Sequence, residues 1–180
     1  VDTYAKVDGI VATLIIASIG LAGPTWEREE TPFSEDTSPL VLAVQLSQTM
    51  DAVAVAPTRL ERAKQKVRDL LERRKGARTA LLVYAGTAHV VLPLTDDPSV
   101  LETFVTELAT NLMPVAGNEP VQALQLAETM LAKEETPGSI LFFTDGIPAE
   151  AADAFAAHRD RASDTVMALA FGTSEGAPIR

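Results

Sequence analysis

From residue 39 onward, short apolar runs alternate along the chain with stretches of helical periodicity. Apolar runs of this length are typical of strands that are buried on both faces of a sheet. Five of them predict strands: PLVLAV (39–44), TALLVYA (79–85), AHVVLPL (88–94), SILFF (139–143) and TVMALAF (165–171). The second and third runs are separated only by Gly86 and Thr87, which indicates a hairpin.

Helical signals occupy the intervals between these strands. In the first, apolar residues recur at helical spacing after a capping box, and in the second a proline stands at the first helical position. Four helices are predicted: one from the Thr58–Glu61 capping box to the region of Gly76, one from Asp97-Pro98 to about Leu108, one that starts at Asn118-Glu119-Pro120, and one over Ala149–Arg161.

The predicted order of elements is β-α-β-β-α-α-β-α-β. Alternation of this kind favours the α/β class, with a doubly wound, mostly parallel, Rossmann-like sheet and helices on both faces. The hairpin makes one edge strand antiparallel. No internal repeat and no low-complexity tract interrupts residues 39–180, which are therefore predicted to form one domain.

A different pattern precedes this domain. The 20 residues from Val7 to Trp26 contain a single charge, Asp8. A membrane-spanning helix needs about 20 apolar residues, and a terminal tryptophan suits the membrane interface. Residues 1–26 are thus predicted to hold a transmembrane helix at about 9–26, followed by a polar linker over 27–38. The alternative is a buried helix of a soluble protein, whereas a signal peptide is disfavoured because a basic n-region is missing.

Composition excludes several classes of function and several kinds of site. The 180 residues include 15 Lys and Arg against 25 Asp and Glu, a net charge of −10, which argues against nucleic-acid binding. The absence of cysteine excludes disulfides, thiolate metal sites and a cysteine nucleophile. The two histidines, His89 and His158, cannot form a multi-histidine metal site. An apolar content of 47% is sufficient for a folded core.

Three polar loops are predicted to meet at the carboxyl ends of the strands, where open α/β sheets bind ligands. They lie at residues 45–49, 117–119 and 144–146. Their hydroxyl, amide and carboxylate oxygens are of the kind that Mg²⁺ and Mn²⁺ prefer. From the residues alone, plainer roles stay open: the side chains can cap turns and, at Asn118, a helix.

The sequence contains no recognisable catalytic constellation. Ser47 does not lie in the G-x-S-x-G motif of a nucleophile elbow. Neither of the glycine-rich phosphate-binding motifs, G-x-G-x-x-G and G-x-x-x-x-G-K-[ST], occurs in the sequence. The chain is therefore predicted not to be an enzyme, with a phosphate-handling enzyme that uses Asp145 as the less favoured alternative. His158 is predicted to be solvated. The mixed charges between Arg59 and Lys75 indicate a solvated helix face, or alternatively a partner-binding face.

The chain resembles a von Willebrand factor type A (VWA) domain, and more narrowly the membrane-anchored bacterial VWA proteins of the aerotolerance (Bat) type. The resemblance runs from about Ile10 to Ile179 and is carried by GLAGPTW, APTRLERAKQKVRDLLERRKG, LVYAGTAHVVLPLTDD, LFFTDG and FGTSEGAPI. It implies a periplasmic, non-enzymatic interaction domain tethered to the bacterial inner membrane. The implied partners are other VWA proteins and a MoxR-type AAA+ ATPase system.

The resemblance also implies a metal-ion-dependent adhesion site with the pattern D-x-S-x-S, a distant Thr and a distant Asp. In that order, the pattern falls on Gln45, Ser47, Thr49, Asn118 and Asp145. Glutamine at the first position removes a carboxylate whose charge, at about 4 Å from a unit charge, is worth ~4 kcal/mol. We therefore expect a degenerate site without a cofactor, in which Ser47, Thr49, Asn118 and Asp145 contact a protein partner. Weak Mg²⁺ or Mn²⁺ binding, with metal-dependent adhesion, is the alternative.

Overall fold

The structure is a computed structural model that describes residues 38–53 and 57–172. The predicted transmembrane helix at 9–26 and the linker up to residue 37 lie outside the described residues. Within the described ranges, no helix has both the length and the apolar character needed to cross a membrane.

The elements follow the predicted order, and most of the predicted bounds agree within one or two residues. The strands are β1 (Leu40–Gln45), β2 (Thr79–Tyr84), β3 (Ala88–Thr95), β4 (Ser139–Thr144) and β5 (Thr165–Ala170). The α-helices are α1 (Arg59–Arg73), α2 (Pro98–Glu107), α3 (Pro120–Leu131) and α4 (Ala152–Arg161). Short 3-10 turns lie at Gln48–Asp51, Thr110–Leu112 and Ala149–Ala151.

The five strands form one sheet in the order β3-β2-β1-β4-β5. All neighbouring strands are parallel except β2 and β3, which are the two arms of the predicted hairpin. The predicted α/β class and antiparallel edge strand are therefore confirmed. Because β1 and β4 are parallel neighbours, with Val44 opposite Phe143, their carboxyl ends lie side by side.

Alternate residues of the central strands point to opposite faces of the sheet, and each face has its own core. On one face, Leu42 and Val44 pack with buried residues of α1 and α2. On the other, Val41 and Ala43 pack with buried residues of α3, and Phe142 contacts Phe155 of α4. The sheet is thus covered by helices on both faces, as the near-continuous apolar strands predict.

The start of α1 is fixed by the predicted capping box. The Thr58 hydroxyl accepts a hydrogen bond from the Glu61 N–H at 3.2 Å. A cap of this kind satisfies a backbone donor that the first helical turn leaves free. Arg59 consequently becomes the first residue of the helix, at the end of the sheet where β1 and β4 finish.

His158 corrects one prediction from the sequence. The residue is only 1% exposed rather than solvated, and its ring reaches from α4 to Glu128 of α3. Its Nδ1 lies 2.5 Å from Glu128 Oε1 and its Nε2 3.3 Å from the Asp164 carbonyl. Arg161 donates to the same Glu128 oxygen at 2.8 Å. One carboxylate therefore joins two residues of α4 to α3.

This carboxylate makes stability depend on pH. Burial raises the pKa of Glu128, but hydrogen bonds from His158 and Arg161 lower it by more, leaving the pKa below its ordinary 4.5. The stabilisation is present above the pKa of the unfolded chain and is lost as the pH falls through the lower pKa of the folded chain. We expect Glu128→Gln to be less stable than the wild type at about pH 6, with a difference that shrinks by about pH 3.

Urea unfolding at a series of pH values measures this difference. The matched control is Glu72→Gln, which changes an exposed carboxylate on α1. A stability gap that stays constant for Glu128→Gln as the pH falls would contradict the predicted role of the carboxylate.

Candidate functional site

The three predicted polar segments, residues 45–49, 117–119 and 144–146, meet at one end of the sheet, called here the loop end. Gln45 lies at its base, as the last residue of β1, and is 1% exposed. Its Oε1 accepts hydrogen bonds from the Thr144 hydroxyl at 2.5 Å and from the Asp145 N–H at 3.1 Å. Its Nε2 donates to Ser47 Oγ at 2.6 Å. The amide thus links the segment after β1 to the end of β4.

The network continues from Gln45 toward the surface. Ser47 Oγ lies 2.7 Å from Thr49 Oγ1. Ser47 is buried, whereas Thr49 is exposed. Between them the chain turns tightly, since the Met50 N–H bonds to the Ser47 carbonyl at 3.0 Å. The two hydroxyls are therefore brought together as predicted, but they bond to one another.

Arg59 is a member of the site that sequence reasoning missed. Its Nη1 donates to Asp145 Oδ2 at 3.2 Å and lies 3.3 Å from the Thr49 carbonyl. The Arg59 and Asp145 side chains are only 14% and 11% exposed. A Cβ placed on Gly172, beyond β5, would lie 3.9 Å from Arg59 Nη2. Arg59 therefore sits where the ends of β1, β4 and β5 converge.

Asn118 bridges to the third segment. Its Nδ2 donates to the Gly146 carbonyl at 2.9 Å, while its Oδ1 is buried with no donor in the described part of the chain. The N-cap position of α3 is held by Glu119, and no side chain caps that helix. The alternative in which Asn118 caps the helix is therefore wrong, and its amide instead connects two loops.

The segment that carries Asn118 is held by a close contact between two glycines. A Cβ on Gly86 would come within 2.5 Å of the Ala116 carbonyl oxygen, and a Cβ on Gly117 within 2.9 Å of the Gly86 Cα. Gly117 also has φ +150°, a conformation that side chains disfavour. The backbones can approach this closely only because neither residue has a side chain.

The neighbouring acidic and phenolic groups do not add negative charge to this network. Asp51 accepts a hydrogen bond from the Thr110 hydroxyl at 2.6 Å, so its side chain is directed to a different turn. Glu119 is exposed. Burial raises the pKa of Tyr84, the residue opposite Gln45 on β2, so that its phenol stays neutral at physiological pH. Arg59 and Asp145 are thus the two charges in direct contact at the loop end.

These side chains offer a divalent cation one carboxylate, that of Asp145, which already pairs with Arg59. Gln45 is neutral, and its oxygen already accepts two hydrogen bonds. Among the described residues there is no cluster of three or more His, Asp or Glu suited to a metal. Arg59 adds a repulsion: two unit charges at about 4 Å interact by ~4 kcal/mol at an effective dielectric near 20, and a divalent ion by about twice that.

A family model described as the von Willebrand factor type A domain matches residues 40–147, which include β1, β4 and all three segments of the loop end. The chain belongs to the VWA domain family. The family explains why the polar segments lie together, because the VWA sheet brings the ends of β1 and β4 side by side. The residues in those segments nevertheless differ from the metal-binding pattern at Gln45 and Asn118.

Relatives of this VWA chain are known by sequence. It is 29% identical over 143 residues to a UPF0353 protein of Mycobacterium sp. (strain KMS), a match that covers 76% of the chain and 42% of that protein. A UPF0353 protein of Nocardia farcinica is 28% identical over 149 residues, with 79% and 44% covered. The chain spans less than half the length of these relatives.

Two solved structures match this chain over a larger share of their own length than these relatives do. The conserved hypothetical protein BatB from Bacteroides thetaiotaomicron has a TM-score of 0.73 and 29% identity, with 79% of this chain and 70% of that chain covered. An aerotolerance-related membrane protein from Bacteroides fragilis has the same TM-score and 27% identity, with 79% and 72% covered. The predicted resemblance to Bat-type VWA proteins is therefore confirmed.

Proposed function

We propose that the chain is the partner-binding VWA domain of a membrane-associated bacterial protein, that it is not an enzyme, and that its loop end binds protein without a divalent cation. The observation that carries this proposal is the closed network at the loop end. Gln45, Ser47 and Thr49 bond to one another or to β4, and Asp145 pairs with Arg59. Among the described residues no histidine bonds to these side chains, since His89 bonds to Thr87 and His158 to Glu128.

The cellular setting is proposed from the relatives. Two similar structures are named as BatB and as an aerotolerance-related membrane protein. By analogy, the domain is tethered to the inner membrane, faces the periplasm and associates with other VWA proteins and a MoxR-type AAA+ ATPase system. Loops displayed on a rigid sheet are the usual place for such contacts, so the loop end that holds Ser47, Thr49, Asn118 and Asp145 is the proposed partner-binding surface.

Site-specific photo-crosslinking tests this proposal in the bacterium that encodes the chain. The full-length protein carries benzoylphenylalanine in place of Glu119, an exposed residue of the loop end. The matched control carries it in place of Lys75, an exposed residue just beyond the far end of α1. We expect discrete protein adducts from position 119 alone. Since no metal is needed, the adduct yield from membranes should be the same in EDTA and in Mg²⁺.

Three other outcomes would overturn parts of the proposal. Adducts that vanish in EDTA would favour metal-dependent adhesion. Equal adducts from both positions would remove the loop end as the contact surface. Hydrolysis of p-nitrophenyl phosphate by the purified chain, lost in Asp145→Asn, would favour a phosphate-handling enzyme.

A further inference from the structure

We infer that the Arg59 guanidinium is a permanent, built-in cation of the loop end, and that it takes over the part that a divalent metal plays in a metal-dependent VWA site. This inference rests on the proposed function and deepens it, because it names what keeps the loops in place when no metal is bound. It concerns a residue that the metal-site pattern does not include.

The contacts of Arg59 are those expected of a cation that organises loops. Its Nη1 reaches the carboxylate of Asp145, at 3.2 Å, and the backbone carbonyl of Thr49, at 3.3 Å. Carboxylates and backbone carbonyls are also the hard oxygen donors that bind Mg²⁺ and Ca²⁺. One guanidinium therefore joins the segment after β1 to the segment after β4 through the chemical groups that a metal would use.

The charges of the site balance with Arg59 and without a metal. A divalent ion between two carboxylates is neutral overall. Here one of the two carboxylate positions is Gln45, which is uncharged, and the remaining Asp145 faces the single positive charge of Arg59. A divalent ion added to this arrangement would leave two positive charges uncompensated. Replacing aspartate by glutamine removes one negative charge, and replacing a divalent metal by arginine removes one positive charge, so the site stays neutral.

Gln45 and Arg59 connect the loop segments through different hydrogen bonds. The Gln45 amide, 1% exposed, bonds inward to Ser47, Thr144 and the Asp145 backbone. Arg59 bonds further out, to the Asp145 side chain. Together they give Asp145 a partner at both its backbone N–H and its carboxylate. Asp145 is therefore fixed from two sides by side chains of this chain alone.

The position of Arg59 is itself fixed. It is the first residue of α1, directly after the Thr58 cap, and its side chain is only 14% exposed. An arginine side chain remains protonated throughout the physiological pH range. The cation is consequently covalently attached, always charged and held by a capped helix.

Calorimetric titration of the full chain with Mg²⁺ tests this role through removal of the guanidinium. The background is Gln45→Asp with Asn118→Thr, which restores the family's ligand types. We expect this double variant to bind Mg²⁺ only weakly, because Arg59 still faces Asp145. The triple variant that adds Arg59→Ala should bind Mg²⁺ at least about tenfold more tightly. The matched control adds Arg73→Ala instead, which removes an exposed positive charge from the same helix.

Equal Mg²⁺ binding by the double and both triple variants would overturn the inference, as would silence from a triple Arg59→Ala variant that is folded by circular dichroism. A second measurement avoids the redesigned site. In the single variant Arg59→Ala, millimolar methylguanidinium should raise the thermal unfolding temperature above that in equimolar NaCl. Wild type and Arg73→Ala should show no such increase. Absence of this rescue would also count against the inference.

These readouts are independent of partner binding. If crosslinking from position 119 fails while the Arg59 experiments succeed, the proposed function is wrong and the built-in cation stands. If crosslinking survives EDTA while the Arg59 experiments fail, the domain binds its partner without metal and Arg59 is only a structural ion pair.

Discussion

Phe142→Ala is expected to lower the free energy of unfolding by about 3–5 kcal/mol, the largest single effect among the substitutions considered. Phe142 lies on β4, is 0% exposed and packs edge-on against two rings. Its ring centroid is 5.8 Å from that of Tyr84 on β2 and 5.3 Å from that of Phe155 on α4. Truncation leaves a cavity between sheet and helix and removes both aromatic contacts.

Urea unfolding followed by circular dichroism measures this loss, with Phe104→Ala as the matched control. Phe104 lies on α2 and is 41% exposed, so its truncation removes far less buried area. We expect the control to lose less than about 1.5 kcal/mol. Similar losses for the two variants would mean that the core on the α3 and α4 face is not packed as described.

Gln45→Ala is expected to lower the free energy of unfolding by about 2–4 kcal/mol, because buried polar groups lose their partners. The truncation removes three hydrogen bonds made by the Gln45 amide and leaves the part-buried Asp145 N–H without its acceptor, whereas the Thr144 hydroxyl keeps Gly146 and Ser47 Oγ keeps Thr49. Each buried group left without a partner costs about 1–3 kcal/mol, and water can reach part of this site. The loss therefore comes from the loop end rather than from the apolar core.

The matched control is Gln48→Ala, three residues along the chain in an exposed position. It should change stability by no more than about 0.5 kcal/mol. Amide hydrogen exchange adds a local readout: the Asp145 N–H should exchange faster in Gln45→Ala than in Gln48→Ala. A Gln45→Ala variant as stable as its control would mean that the amide network does not stabilise the loop end.

The architecture could be predicted from the sequence because its signals are local. Continuous apolar runs predict buried strands, the Thr58–Glu61 capping box predicts the start of α1, and Gly86-Thr87 predicts the hairpin. The meeting of the three polar segments also followed, because parallel strands bring their carboxyl ends to one edge of the sheet. These features depend on residues that are close in the sequence or on a general property of the fold.

The chemistry of the loop end could not be predicted in the same way. Arg59 stands in a run of alternating charges that is typical of a solvated helix face, and its partner Asp145 is 86 residues away. His158 is predicted to be solvated because its helix is rich in alanine and carries Arg159 and Arg161 beside it. In both cases the partner lies on a distant element, and only the packing of the helices on the sheet brings the two side chains together.

The contact between Gly86 and Gly117 has a consequence for how this domain can diverge. A side chain at position 117 would need the space of the Gly86 backbone, and one at position 86 would need the space of the Ala116 carbonyl, so the two positions are not independent. A larger residue at either one would displace residues 115–117, and with them the Asn118 amide that contacts Gly146. Substitutions that leave this pair unchanged can alter the exposed side chains of the loop end freely. In a set of orthologues, positions 86 and 117 should therefore either both stay glycine or change together with the length of the loop before α3.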